Sequence, residues 1–300
     1  MIKLGLVVLP SLPRGFIVRL ARLAGFLGFF LARGQLRITM ANLEVAFGQS
    51  KTAAEKRRIA MRAFQNIALV FLDYFWFARH SNERVRKYVM LDQSVKKYFP
   101  PPPAVVVTAH FGSWELLSRA MATYGYPHTA VSAFLSNPDT SRIIEDYRAV
   151  ANVEMIQMRG AVRGLLRSLR KGKYIALVMD QNTKPADGGI FVEFFGLPVP
   201  MSTSAAAIAE RVNVPITPIF CLVRGDDTYQ VYALPPVREV NAAVGPDSVR
   251  DLTEKIAAMF QQEIARQPEQ WMWMYKRWKH IKPDWPAGAY PWYAKPPKRA

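Results

Sequence analysis

After the proline run Pro100 to Pro103, apolar β-branched stretches alternate with amphipathic ones, and this alternation restricts the fold more than any other feature. Strands are predicted at 104–109, 129–134, 153–157, 173–179, 190–195, 216–223 and 228–234, and helices at 113–124, 138–151, 160–171, 202–212 and 247–266. Such a pattern gives an α/β fold with helices flanking a central sheet. The closely spaced strands of 216–234 read as a hairpin, so the sheet is predicted to be mixed. Residues 100–281 form this core, and 282–300, rich in Pro, Trp, Tyr and basic residues, form an irregular surface-laid tail.

Residues 1–99 read as an N-terminal helical, membrane-associating region. Residues 1–62 carry eleven Lys/Arg against two Glu, in a chain of net charge +17, which points to an anionic partner. Apolar content selects a membrane surface over nucleic acid. The run from Gly15 to Ala32, bracketed by Arg14 and Arg33, is interrupted by Arg19 and Arg22, so it suits an interfacial helix better than a spanning one. No cleavage site for a signal peptide follows it, which implies the cytoplasmic face. Thr52-Ala-Ala-Glu55 is a capping-box pattern that opens a long helix to about Arg79.

The chemistry concentrates at Val105-Val-Val-Thr-Ala-His110-Phe-Gly-Ser-Trp-Glu115. His110 closes a predicted strand, and Glu115 falls in the first turn of the next helix. Gly112 permits the bend, Ser113 can cap the helix, and Glu115 can then reach back to the imidazole. A carboxylate-held imidazole is fixed in one tautomer and serves as a base for a hydroxyl. The same two residues also fit a strand end and a helix-start charge.

Other constellations surround this one. Arg159, Arg163, Arg167 and Arg170 recur at helical spacing, as an anion-binding row or as a solvated face. Asp180 ends another apolar run, where it orients a substrate hydroxyl or the arginines, or makes an Asx-turn. Glu193 stands alone among apolar residues in Gly189–Gly196, paired with an Arg or supporting His110. The four histidines are scattered, and there is no His-Glu-x-x-His, phosphate loop, dinucleotide fingerprint or Gly-x-Ser-x-Gly elbow, so neither metal nor cofactor is expected. One cysteine, Cys221, excludes an internal disulfide and reads as a core residue.

The ordered set His110-Phe-Gly-Ser-Trp-Glu115, Arg159-Gly160, Asp180-Gln181, Phe191–Gly196 and Pro268-Glu-Gln-Trp-Met-Trp273, with Asn42-Leu43 and Ala46-Phe47, resembles the bacterial lipid A biosynthesis acyltransferases of the lauroyl/myristoyl type. These belong to the wider lysophospholipid acyltransferase group with its His-x-x-x-x-Asp/Glu signature. The resemblance implies acyl transfer from an acyl carrier protein to a hydroxyl of a phosphorylated glycolipid, a lipid A precursor, at the cytoplasmic face of the inner membrane. It makes His110 the general base, Glu115 its orienter and Arg159 a substrate-binding or oxyanion-stabilising cation, with Asp180 at the family's acidic position. The helix start at Ser113 would add main-chain donors for the oxyanion, and Arg163 and Glu193 are further substrate-binding candidates. Another lipid acceptor, such as a phosphatidylinositol mannoside, would use the same chemistry; a non-catalytic basic lipid-binding protein would use none.

Overall fold

The computed structural model describes residues 8–132, 153–158, 160–242 and 245–296. Nine strands are described: β1 (Val89–Leu91), β2 (Ala104–Thr108), β3 (His128–Ser132), β4 (Val153–Gln157), β5 (Tyr174–Val178), β6 (Gly189–Phe194), β7 (Leu197–Ser202), β8 (Ile216–Val223) and β9 (Tyr229–Ala233). Seven form one sheet in the order β1-β9-β8-β2-β5-β3-β4. All neighbours in it pair in parallel except β8 and β9, the expected hairpin. The sheet is therefore mixed, and β2 at its centre is buried throughout, as a strand covered on both faces must be.

Nine helices are described: α1 (Arg14–Leu31), α2 (Arg33–Phe47), α3 (Ala53–Trp76), α4 (Ser81–Tyr88), α5 (Gln93–Tyr98), α6 (Trp114–Thr123), α7 (Ala161–Arg170), α8 (Ser204–Val212) and α9 (Ser248–Arg266). Val105 and Val107 pack into a core with the apolar faces of α7, α8 and α9. Ala104 and Val106, on the opposite face, pack with Leu116 and Leu117 of α6 and with Trp76. The predicted helix at 138–151 lies outside the described residues. The short elements β1, α4 and α5 escaped prediction because none spans enough residues to show a period. β7 escaped because Pro198 and Pro200 argue against a strand; a two-stranded ribbon with β6 tolerates them. Phe195 and Gly196, at φ 51° and 75°, supply the tight turn of that ribbon.

The Thr52–Glu55 capping box forms and starts α3. α1 lies along α3 so closely that a Cβ on Gly25 would come within 2.4 Å of the Gln65 Cα. Ile17, Val18, Ala21 and Phe29 face inward. Phe16, Leu23, Phe26, Leu27, Phe30 and Leu31 face outward, with Leu31 76% exposed, and Phe71 of α3 is also exposed. Arg14 does not flank this surface as its sequence position suggested. It is buried, ion-paired with Asp73 and hydrogen-bonded to the Tyr229 hydroxyl at 2.6 Å, within an aromatic cage of Trp76, Phe77 and Tyr88. No single described helix is long and apolar enough to cross a membrane; the stretches Arg14–Leu31 and Arg33–Ser50 satisfy that test only as a pair bent by 89°.

Residues 282–296 contain one short 3-10 turn, Ala287–Ala289, and are partly built into the core. Tyr290 and Tyr293 are buried; Tyr290 donates to the Pro198 carbonyl at 2.9 Å, and Tyr293 bonds to Asn42. Asn42 in turn donates to the carbonyls of Trp273 and Tyr275, both at 2.7 Å, and so ties α2 to the chain that frames the site.

Candidate active site

The register of two parallel strands creates the site. Thr108 of β2 lies opposite Val178 of β5, so the residues two places further on, His110 and Asp180, emerge together beyond the carboxyl edge of the sheet. Crevices at that edge are where open α/β sheets bind ligands. Three main-chain bonds hold the His110 turn: Gly112 N–H to the Gln270 carbonyl (2.8 Å), Ser113 N–H to the Cys221 carbonyl (2.7 Å) and Met272 N–H to the His110 carbonyl (3.0 Å). Gly112 adopts φ +61°, and a Cβ there would stand 2.1 Å from the Cys221 carbonyl oxygen, so the approach of the turn to β8 requires glycine.

His110 Nδ1 lies 2.7 Å from Asp180 Oδ1. The other carboxylate oxygen accepts from the Trp271 indole N–H at 2.8 Å. Asp180 is buried, which by itself raises a carboxyl pKa; the His110 charge and the bonds from His110 and Trp271 outweigh burial and hold it below its ordinary value. An ionised Asp180 only accepts, so Nδ1 of His110 carries a proton, and in the neutral imidazole Nε2 carries the lone pair. Nε2 is 3.3 Å from the Gln181 side-chain amide. Behind Asp180, buried Arg277 donates to Asn182 Oδ1 at 2.7 Å and to the Pro200 carbonyl at 2.9 Å. Burial lowers its pKa to about 10, partly opposed by Asp180, and it remains cationic at neutral pH.

Among the described residues, then, the imidazole is held by Asp180 and not, as expected, by Glu115. Glu115 accepts from the Tyr74 hydroxyl of α3 at 2.9 Å. Ser113 makes no side-chain cap, and its N–H, like that of Gly112, is engaged by a carbonyl, so neither serves as an oxyanion donor. Glu193 is exposed on β6, where water can solvate it; among the described residues it makes no ion pair with an arginine and no hydrogen bond to His110. Arg163, Arg167 and Arg170 form one exposed face of α7, and Arg159 lies outside the described residues. Asp180 binds the imidazole of His110 and the indole of Trp271, a role its position in the sequence did not suggest. Sequence reasoning missed Trp271, Gln181, Tyr74 and Arg277. The presence of Trp271 in the motif Pro268–Trp273 was the available signal.

An apolar pocket opens beside this pair. The His110 and Trp114 rings meet edge to face with centroids 5.0 Å apart, and Trp114 lines the pocket with Glu115, Thr108 and Val178. The pocket continues between α6 and the sheet, past Leu117, Met121, Val106, Ala130 and Ala176.

A carboxylate-held imidazole in contact with Trp114 on the wall of a deep apolar pocket suits a class of protein: a transferase acting on a substrate with a long apolar part. The family profile described as bacterial lipid A biosynthesis acyltransferase matches residues 2–280, and the chain belongs to that family. It is an acyltransferase. It is 26% identical over 261 residues to the lipid A biosynthesis palmitoleoyltransferase of Escherichia coli strain K12, covering 83% of this chain and 80% of that protein. It is 23% identical over 283 residues to the lipid A biosynthesis lauroyltransferase of the same organism, covering 90% and 87%. A phosphatidylinositol mannoside acyltransferase of Mycobacterium tuberculosis is 24% identical over 180 residues, covering 58% and 54%.

Proposed function

We propose that this enzyme moves a fatty acyl chain from an acyl carrier protein thioester to a hydroxyl of a phosphorylated glycolipid, a lipid A precursor, with His110 as general base. The observation that carries this reading is the pairing of His110 with buried Asp180 beside an apolar pocket lined by Trp114. The acyl chain enters the pocket and places the thioester carbonyl beside Nε2. As the acceptor oxygen attacks the carbonyl carbon, its proton passes to Nε2, and Asp180 stabilises the imidazolium. Collapse of the tetrahedral adduct breaks the C–S bond, and the departing sulfur takes the proton back from Nε2. General-base assistance supplies about 10²- to 10⁴-fold, so positioning and oxyanion stabilisation supply much of the rest. With the N–H groups of Gly112 and Ser113 occupied, the oxyanion falls to the donors at the start of α6, from Trp114 onward, and to Arg159.

Glu115, held by Tyr74 at the pocket mouth, adds a carboxylate that favours the imidazolium, and exposed Arg163 meets the anionic part of a substrate. The outward face of α1, with exposed Arg19 and Arg33, lies on the anionic surface of the inner membrane, on its cytoplasmic side; an apolar stripe this continuous has no other partner among the described residues. Transfer from acyl carrier thioesters to a lipid A precursor, read by product mass beside His110→Ala, tests the reading. One added acyl group, lost in the variant, supports it; wild-type rates in His110→Ala overturn the mechanism. Similarity to a phosphatidylinositol mannoside acyltransferase favours a second acceptor, and the same assay with that lipid decides between them.

A further inference from the structure

The pocket has two ends, and strand register places both. Thr108 and Val178 form a pair at the end beside His110; Ala104, Tyr174 and His128 lie level with one another at the opposite end. Four strand steps separate the levels, roughly 13 Å. At the far end the lining becomes aromatic. Phe99 meets Tyr126 edge to face at 5.2 Å between centroids and Tyr174 at 4.9 Å, and the Tyr174 hydroxyl donates to the Pro100 carbonyl at 2.8 Å. A polar pair braces this end. The Ser118 hydroxyl donates to His128 Nε2 at 2.8 Å, and His128 Nδ1 donates to the Tyr126 carbonyl at 3.1 Å, so each bond fixes the chain that carries Tyr126.

We propose that Phe99, Tyr126 and Tyr174 form a stop that sets the length of the transferred acyl chain, and that the chain is of medium length. A saturated chain with bonds of about 1.5 Å advances roughly 1.3 Å per carbon. About ten carbons fill 13 Å, and the carbonyl and its neighbour remain outside at His110, which gives a chain of about ten to twelve carbons. Each buried methylene strengthens binding roughly fourfold, so a chain two carbons short binds about an order of magnitude more weakly. A chain four carbons too long meets the ring cluster. This inference rests on the acyltransferase reading of the same site.

The test uses the full-length protein and fatty acids of 8, 12 and 16 carbons with a photoreactive group at the methyl end, the attachment sites being mapped by peptide mass. The 12-carbon probe is expected to label Phe99 or Tyr126, and the 8-carbon probe the middle wall near Met121 and Ala130. In parallel, transfer from thioesters of graded length is compared with Tyr126→Ala, Phe99→Ala and Ala130→Leu. The two truncations raise the ratio of 16- to 12-carbon transfer at least tenfold, and the filling variant shifts preference to shorter chains. Labelling of residues beyond Phe99, Tyr126 and Tyr174 by the 16-carbon probe in the wild type, or length ratios unmoved in all three variants, would overturn the stop while leaving acyl transfer intact. Correct labelling without transfer from any carrier-protein thioester would instead remove the proposed donor and keep the stop.

Discussion

His110 is fixed through Nδ1 by the Asp180 carboxylate, a partner 70 residues away in the chain, at 2.7 Å. Asp180→Asn preserves shape but offers an amide in place of an acceptor-only carboxylate, so the ring loses its enforced tautomer. kcat is expected to fall about 10²- to 10⁴-fold with melting temperature little changed. Trp271→Phe removes one of the two bonds to Asp180 and is expected to lower kcat by about tenfold, in line with a lost hydrogen bond to a charged group. Steady-state rates with a saturating donor check both.

Gly112→Ala forces a Cβ against the Cys221 carbonyl in a left-handed conformation. The strain alone amounts to about 1–3 kcal/mol, and the turn must move to relieve the overlap. Lower thermal stability together with loss of activity is expected; unchanged values for both would contradict the described approach of the turn to β8.

Asp73 carries the only carboxylate bonded to Arg14 among the described residues, and both are buried. Asp73→Ala leaves the guanidinium uncompensated and is expected to destabilise by about 3–5 kcal/mol. Arg14→Met with Asp73→Leu removes both charges and is expected to recover most of the loss, as measured by denaturant unfolding.

Burial holds the His128 imidazole below its ordinary pKa of 6.5, against the raising effect of the Tyr126 carbonyl. As pH falls, the unfolded chain takes up this proton first, so the folded state loses stability below about pH 6.5. His128→Gln is expected to flatten the dependence of melting temperature on pH between about 7.5 and 5. An identical slope in both proteins would sink the assignment.

Leu27→Glu with Phe30→Glu places charge on the outward face of α1, away from its contact with α3. Binding to anionic vesicles is expected to weaken at least tenfold, since each substitution removes an apolar side chain from the lipid. Circular dichroism should remain that of the wild type.

Much of the core was legible because periodicity is a local property. Val105 to Thr108 are all apolar or β-branched since both faces of β2 are covered, and the Thr52–Glu55 box declares its helix start within four residues. His110 was legible for the same reason: a polar residue at the end of a buried run, next to a glycine that permits the turn. Glu115 drew attention by proximity along the chain, yet the imidazole is held by a residue from another strand.

The sequence by itself determined the α/β alternation, the hairpin of β8 and β9, the amphipathic charge distribution of the N-terminal region and the place of His110, because each is written in neighbouring residues. The tertiary structure alone decided that β2 lies beside β5 in a register pairing Thr108 with Val178, which brings Asp180 to His110, and that Trp271 and Tyr74 support the two carboxylates. It likewise buried Arg14 and exposed Glu193. Pairing between distant strands and the solvation of a single charge depend on which surfaces meet, and no local pattern encodes that choice.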